Sequence, residues 1–480
     1  MDLSIFKAYD VRGIVPDQLN PAAAARIAGG IMAATGGQTF VVGHDVRMHS
    51  RGLVDAMIEA LVDAGADVID LGLCGTEEVY FWTGYEDADA GLMVTASHNP
   101  AEYNGVKFVG KAAAPLSQDG MDAVRDWAAS DAPLPTAAQR GQVHKPARPA
   151  TYIDRLMEFA SLDGVRPLHV VLNAGNGCAG PVVEALAERM PPQVRLSLVQ
   201  GEPDGTFPHG IPNPLLPDRR QATTDAVRAL SADFGVAFDG DFDRCFFFDG
   251  EGRFVEGYYI VGLLAQAILG RSAPGTPIVY DNRMTWATEA AIAAAGGRPV
   301  VSRTGHVLLK RALREHGAAY GGEMSAHHYF HAFYSCDSGM IPWLLIAQLV
   351  GEGDRSLAEH VAAAQAAFPC SGEINFRLED TAAALARVEA AYAGEGSRED
   401  IDGVSYSFAD WRFNVRLSNT EPLLRLNVET RGDPALLSEK TNELQALDYH
   451  WDDRHIDELH AAWNAVKAAE KADKAAAERG

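Results

Sequence analysis

One pattern recurs three times along this chain, and it limits the available folds more than any other feature. An apolar strand ends in a polar turn at Phe40-Val-Val-Gly-His-Asp45, at His169-Val-Val-Leu-Asn173 and at Pro277-Ile-Val-Tyr-Asp281. Each time a helical stretch follows, then a second strand: Ala66-Asp-Val-Ile-Asp70, Val194-Arg-Leu-Ser-Leu198 and Arg298-Pro-Val-Val-Ser302. A third strand then runs into a polar loop. Strands alternating with helices predict mixed, mostly parallel sheets, and three such units predict three similar α/β domains. After about residue 370 the texture changes. Glu373-Ile-Asn-Phe-Arg377, Val404-Ser-Tyr-Ser-Phe408 and Leu424-Arg-Leu-Asn-Val428 read as shorter strands of a smaller α+β domain. Beyond Tyr449, Ile456, Leu459, Trp463 and Val466 share a helical face, so a helical extension is expected there. The predicted boundaries are 1–150, 151–253, 254–370, 371–450 and 451–480, with the four domains arranged around one central cleft.

Length and charge narrow the function. At 480 residues the chain exceeds what one core supports. It contains no run of 18 apolar residues, so no membrane span is expected; the run Met340-Ile-Pro-Trp-Leu-Leu-Ile346 reads as a buried helix with proline near its start. The first residues lack the charged and apolar regions of a signal peptide, which points to the cytoplasm. A formal net charge of −24 argues against nucleic acid and anionic membranes as partners. Any phosphorylated ligand must then be held by positive charge concentrated in one cleft. The five cysteines are widely spaced with no CxxC pair, so neither zinc nor a disulfide framework is expected.

The loops after the third strands carry the chemistry, because ligands bind at the C-terminal ends of strands in such sheets. The first is Thr95-Ala96-Ser97-His98-Asn99-Pro100, which places a hydroxyl and an imidazole after the apolar run Gly91-Leu-Met-Val94. The second, Asp239-Gly-Asp-Phe-Asp-Arg244, follows Phe234-Gly-Val-Ala-Phe238. On a straight strand its three carboxylates would spread over roughly 13 Å. They converge only on a curved loop, and a hard cation such as Mg²⁺ or Ca²⁺ is the reason to bring them together. The third loop is Glu323-Met-Ser-Ala-His-His-Tyr329. In the last domain, Arg416-Leu-Ser-Asn-Thr-Glu-Pro422 suits a phosphate-binding turn, and equally an ordinary turn or helix cap.

Standing in this order, the four motifs resemble the α-D-phosphohexomutase family from Phe6 to about Asn442. Gly322-Glu-Met-Ser-Ala-His327 is similar to the phosphomannomutase/phosphoglucomutase branch. The resemblance implies that Ser97 is a phosphorylated catalytic serine, and that Asp239, Asp241, Asp243 and a Ser97 phosphate oxygen hold Mg²⁺. It implies catalytic roles for Arg12, His98, Lys107, Arg244 and His327, with Lys107 and His327 as the acid/base pair. Glu323 and Ser325 would read sugar hydroxyls, and Arg416, Ser418, Asn419, Thr420 and Arg425 would grip phosphate. Tyr9, Arg283 and His306 complete the expected substrate contacts. The implied reaction interconverts mannose 6-phosphate and mannose 1-phosphate through a hexose 1,6-bisphosphate that is intermediate and activator. It would feed GDP-mannose and surface-polysaccharide synthesis in a monomer or homodimer. Dual glucose/mannose specificity, or mainly glucose specificity, is the alternative. An aspartate-nucleophile phosphatase would leave Ser97 and the Arg416 loop without a role. Phe242 stands where relatives commonly have glycine or alanine and is not expected to touch the ligand set. His209 stands where they usually have asparagine.

Overall fold

The computed structural model describes residues 1–146, 150–378, 380–417 and 423–447. These form two compact units. One contains Met1–Asp281 and Thr285–Ala364; the other contains Asn282–Met284 and the described residues from Gln365 onward. The expected C-terminal helical extension lies outside the described residues.

The threefold pattern returns as topology in the first unit. Its first sheet orders the strands Asp10–Ile14, Tyr103–Gly110, Ala90–Val94, Thr39–His44, Asp67–Leu73 and Val143–His144. The second orders Phe254–Val255, Cys245–Phe248, Phe234–Phe238, Leu168–Asn173 and Val194–Val199. The third orders Arg298–Ser302, Pro277–Asp281, Tyr320–Gly322, His328–Phe330 and Cys336–Asp337. In all three the third strand of the repeat lies parallel to the first, which lies parallel to the second. An antiparallel strand then returns beside the third: Tyr103–Gly110, Cys245–Phe248 or His328–Phe330. Each candidate loop is therefore the connection between a central parallel strand and its antiparallel return. That position is buried at its base and free to curve at its tip.

Local sequence explains the packing. Helix Pro21–Thr35 starts where the Asn20 side chain accepts from the Ala23 N–H, with proline in the first turn, and stops at Gly36 with φ of 64°. The apolar run around Met340 is the helix Met340–Gly351, with Pro342 in its first turn and nearly every residue buried. No helix among the described residues is long and apolar enough to cross a membrane. All five cysteines are free thiols.

The second unit is an antiparallel sheet in the order Cys370–Arg377, Leu423–Thr430, Trp411–Leu417, Val404–Ser407 and Ser397–Glu399. Helices Thr381–Ala391 and Pro434–Ala446 complete it. The sequence reading missed the strand Trp411–Leu417 and placed Arg416 on a loop. Trp411, Phe413 and Val415 join the apolar core of this unit, while Arg412, Asn414 and Arg416 alternate with them and are also buried. Three buried polar side chains on the second face hide the strand period.

Candidate active site

Ser97 sits on the loop after Ala90–Val94 with φ of 48°, a left-handed conformation that turns the chain at that strand's end. Its N–H donates to Thr95 Oγ1 at 2.9 Å, and Thr95 donates in turn to Asp45 Oδ2 at 2.8 Å. Arg47 holds the loop from beneath, donating to the carbonyls of Ser97, Asn99, Pro100 and Tyr103. Asp45 and Arg47 escaped the sequence reading. Their one signal is position, just past Thr39–His44, the first strand of the same repeat.

The Ser97 hydroxyl donates to Asp239 Oδ2 at 2.7 Å and lies 3.0 Å from His98 Nδ1. The serine and carboxylate loops are packed closely: a Cβ on Gly240 would stand 2.7 Å from the Ser97 carbonyl oxygen. Arg244 donates to Asp239 Oδ2 at 2.9 Å, approaches Ser97 Oγ at 3.4 Å and donates to His98 Nδ1. Burial, then the Arg244 charge, holds the His98 imidazole well below its usual range, so it is neutral and accepts.

Asp239, Asp241 and Asp243 each offer an oxygen within 4.8 Å of the other two, and all three are buried. Burial and mutual repulsion push Asp239 up to about 6, against the pull of Arg244. Burial also acts on Asp243, but Lys107 and His327 outweigh it and hold that carboxyl well below the usual range. Lys107 reaches Asp241 Oδ2 at 2.7 Å and Asp243 Oδ2 at 2.5 Å. Despite burial, these carboxylates raise the ammonium's pKa, so at rest Lys107 is charged and carries a proton it can give. Asp241 Oδ1 and Asp243 Oδ1 are buried and accept no hydrogen bond. Two orphaned carboxylate oxygens beside a third carboxylate and a serine hydroxyl form an all-oxygen donor set that fits a small hard cation. A second grouping of Asp243, His327 and Asp337 fits a small hard cation less well, because it offers an imidazole nitrogen in place of a third carboxylate oxygen.

Around this centre stand most of the other expected residues. Arg12 is paired with Asp10 and donates to the Thr95 carbonyl at 2.7 Å. His327 Nε2 is 3.6 Å from Asp243 Oδ1, and its Nδ1 is 3.4 Å from Glu323 Oε2. These carboxylates, Asp243 first, raise its pKa despite burial. Glu323 is buried and accepts from the Gly305 N–H at 2.9 Å and the Tyr329 hydroxyl at 2.5 Å. Ser325 Oγ is 3.4 Å from His327 Nδ1. His306 starts the helix His306–His316 and meets Tyr9 edge-on at 6.4 Å; burial and then Lys310 hold it neutral. His328 belongs to the core, hydrogen-bonded with the Tyr320 hydroxyl at 2.7 Å. His209, without a role from the sequence, pairs with the Asn176 side chain at 2.8 Å. Phe242 packs its ring on Gly75, where a Cβ would stand 2.1 Å from it.

The remaining expected residues lie in the second unit. Arg283, Arg416 and Arg425 converge on the carboxylate of Glu373, at 3.2, 3.0 and 3.3 Å. Arg416 and Arg425 face each other directly across paired strands, so Glu373 is the counter-charge that lets them coexist. Burial would raise Glu373, yet the three guanidiniums hold it down at about 2. Three guanidiniums gathered at one place suit the binding of an anion. Sequence reading missed Glu373 as a site residue because it stands on a strand remote from Arg283 and Arg416. Ser418, Asn419 and Thr420 lie outside the described residues.

A serine hydroxyl on a carboxylate cluster, with a separate arginine cluster, is the equipment of phosphoryl transfer. Residues 3–133, 150–252 and 256–368 match "Phosphoglucomutase/phosphomannomutase, alpha/beta/alpha" domains I, II and III, and residues 373–446 match the C-terminal domain of the same family. The chain belongs to the phosphoglucomutase/phosphomannomutase family. Among its relatives are the "Phosphohexose mutases" of Xanthomonas campestris pv. campestris, 53% identical over 93% of this chain and 99% of that protein. The phosphomannomutase of Salmonella typhimurium is 52% identical, again over 93% and 99%. A family member from Burkholderia thailandensis, solved by crystallography, superimposes with a TM-score of 0.80 at 29% identity, covering 94% of this chain and 99% of its own.

Proposed function

We propose that this protein is a phosphomannomutase, an intramolecular phosphotransferase that interconverts mannose 6-phosphate and mannose 1-phosphate. The observation that carries the reading is the Ser97 hydroxyl placed 2.7 Å from Asp239 in a buried triad of carboxylates. The relatives named phosphomannomutase, about half identical over nearly the whole chain, support the hexose. Phosphorylated Ser97 transfers its phosphoryl to the free hydroxyl of a hexose monophosphate. The Ser97 Oγ–P bond breaks, a hexose O–P bond forms, and the hydroxyl proton leaves. The resulting hexose 1,6-bisphosphate turns end for end, and its other phosphoryl returns to Ser97. The same bisphosphate primes an unphosphorylated Ser97.

Asp239, Asp241, Asp243 and a Ser97 phosphate oxygen would hold Mg²⁺, which when bound neutralises charge on the transferring phosphoryl. Arg244, within reach of Ser97 Oγ, Asp239 and His98, steadies the serine oxygen. Arg12 holds the serine loop through the Thr95 carbonyl. The proton transfers belong to Lys107 and His327, a pairing supported by their places on either side of Asp243. Glu323 and Ser325 read sugar hydroxyls, with Tyr9 and His306 beside them. Arg283, Arg416 and Arg425, with Ser418, Asn419 and Thr420, take the phosphate that is not reacting. The labour divides by domain: serine in 1–150, metal in 151–253, sugar in 254–370, and distal phosphate in 371–450 with Arg283 added from 254–370.

The family description, phosphoglucomutase/phosphomannomutase, motivates a second reading, in which glucose phosphates are substrates as well. Coupled assays on mannose 1-phosphate and glucose 1-phosphate, side by side with the bisphosphate activator, test both. Turnover of mannose 1-phosphate that disappears in Ser97→Ala is expected. Turnover of glucose 1-phosphate alone would overturn the mannose assignment, and full activity in Ser97→Ala would overturn the mechanism.

A further inference from the structure

We infer that Thr76 is a positioning residue for the cation, assigning the two oxygens of Asp241 to different tasks and so favouring Mg²⁺ over Ca²⁺. The inference rests on the metal role proposed for the three aspartates. Thr76 was not among the residues singled out by sequence, and it comes from a different part of the unit than the loop it touches.

Thr76 opens the helix Thr76–Tyr85 and is fully buried. It bonds to Asp241 twice. Its hydroxyl donates to Asp241 Oδ2 at 2.6 Å, and its N–H donates to the Asp241 carbonyl at 3.0 Å. Asp241 Oδ2 also accepts from Lys107, so that oxygen is fully engaged by protein donors. Asp241 Oδ1 is equally buried and accepts nothing. The carboxylate is thereby presented edge-on, one oxygen anchored and the other bare.

The start of the helix cannot drift. Glu78 accepts from the Gly75 N–H at 2.8 Å. Glu77 accepts from the Tyr152 and Ser338 hydroxyls and from the Gly339 and Met340 N–H groups, pinning the helix to the turn at 338–340. Gly75 has no room for a Cβ against the ring of Phe242, which lies between the second and third aspartates with φ of 43°. A bulky residue in that conformation persists only where surrounding packing holds it. Thr76 is therefore a rigid donor aimed at a loop that is itself held rigid.

The chemistry of the two ions turns this into selectivity. Ca²⁺ is larger and readily takes a carboxylate through both oxygens, whereas Mg²⁺ demands short, near-octahedral bonds and takes one. An Asp241 whose Oδ2 is occupied by a hydroxyl and an ammonium offers a single oxygen. Groups that orient metal ligands in this way commonly change metal affinity by about 10- to 100-fold when removed.

The test is calorimetric titration of Mg²⁺, and separately Ca²⁺, into full-length chelator-stripped protein. Thr76→Val keeps the side-chain shape and removes the hydroxyl. We expect it to weaken Mg²⁺ binding about 10- to 100-fold and Ca²⁺ binding less, while Thr76→Ser restores the wild-type ratio. Unchanged Mg²⁺ affinity in Thr76→Val would overturn the inference. So would an equal loss for both ions, which would mean only that the loop had loosened. If the valine variant does not fold, Thr76→Ala is read by the same criteria. A wild-type protein that binds no Mg²⁺ would instead overturn the metal assignment itself.

Discussion

The carboxylate loop at 239–244 and the arginine cluster around Glu373 solve opposite problems with inverted charge. In the first, three buried carboxylates meet Lys107 and Arg244, with His327 beside Asp243, and two carboxylate oxygens remain without hydrogen bonds among the described residues. In the second, three guanidiniums meet at the Glu373 carboxylate, and the buried Nε of Arg416 finds no acceptor among the described residues. Each cluster gathers groups of one sign, carboxylates that suit a cation in the first and guanidiniums that suit an anion in the second. Like charges gathered in a buried place are costly to hold together, and a ligand of the opposite sign lowers that cost. The chain's overall charge of −24 does not prevent this, because the arginines are gathered at one spot.

The contrast can be broken, beginning with the largest effect expected. Ser97→Ala removes the group that carries the phosphoryl and should lower mutase turnover by at least about a thousandfold. Assays with saturating bisphosphate check this. Asp241→Asn keeps the carboxylate's shape but removes one charge and leaves only a weak ligand where Oδ1 stands. Turnover should fall, and the Mg²⁺ concentration giving half-maximal rate should rise by at least about tenfold. An unchanged requirement would remove the aspartates from the cation site.

Arg416→Ala should be milder and differently distributed. A charge-assisted hydrogen bond is worth about 1.5–3 kcal/mol, so KM should rise roughly ten- to a hundredfold, equally for mannose and glucose phosphates. Glu323→Ala should act on turnover in both directions and carry any change in hexose preference. Steady-state kinetics of the two variants on both substrates separates them. Arg416→Ala altering the preference while Glu323→Ala left both substrates untouched would refute the division of labour.

The last expected effect is on stability and leaves turnover aside. Glu373 has its pKa depressed from 4.5 to about 2 by the arginines. A depressed carboxyl stabilises the folded state above its unfolded pKa, and that contribution fades as pH falls from about 4.5 towards 2. It amounts to about 3 kcal/mol at neutral pH. Unfolding midpoints measured between pH 5 and pH 2.5 should fall more steeply for wild type than for Glu373→Gln. Parallel slopes would mean that the carboxylate does not hold the arginines in solution.

The same contrast explains what could be read from sequence. Asp239, Asp241 and Asp243 lie within five consecutive residues after an apolar strand, so both their convergence and its purpose are local. The repeat that places Ser97, the aspartates and Glu323 at three equivalent strand ends is equally visible, because parallel strands and their helices leave a regular apolar rhythm. The arginine cluster draws on residues 283, 373, 416 and 425; pairing between distant strands brings the last three together, and Arg283 joins them through Glu373. Arg416 was found, but on the wrong element, because the strand Trp411–Leu417 buries polar side chains on its second face. Thr76, Asp45 and Arg47 could not be recognised, since a threonine or arginine after a strand or turn is common. Only the fold shows which carboxylate or carbonyl it serves.

The central claim is that Ser97 carries the phosphoryl group between the two ends of the sugar. Peptide mapping by mass spectrometry, after incubation with hexose 1,6-bisphosphate and Mg²⁺, tests it most directly. One phosphoryl group should be found on the peptide containing Ser97, and it should be lost when excess hexose monophosphate is added. Its absence there while the enzyme turns over, or its presence on another residue, would contradict the account.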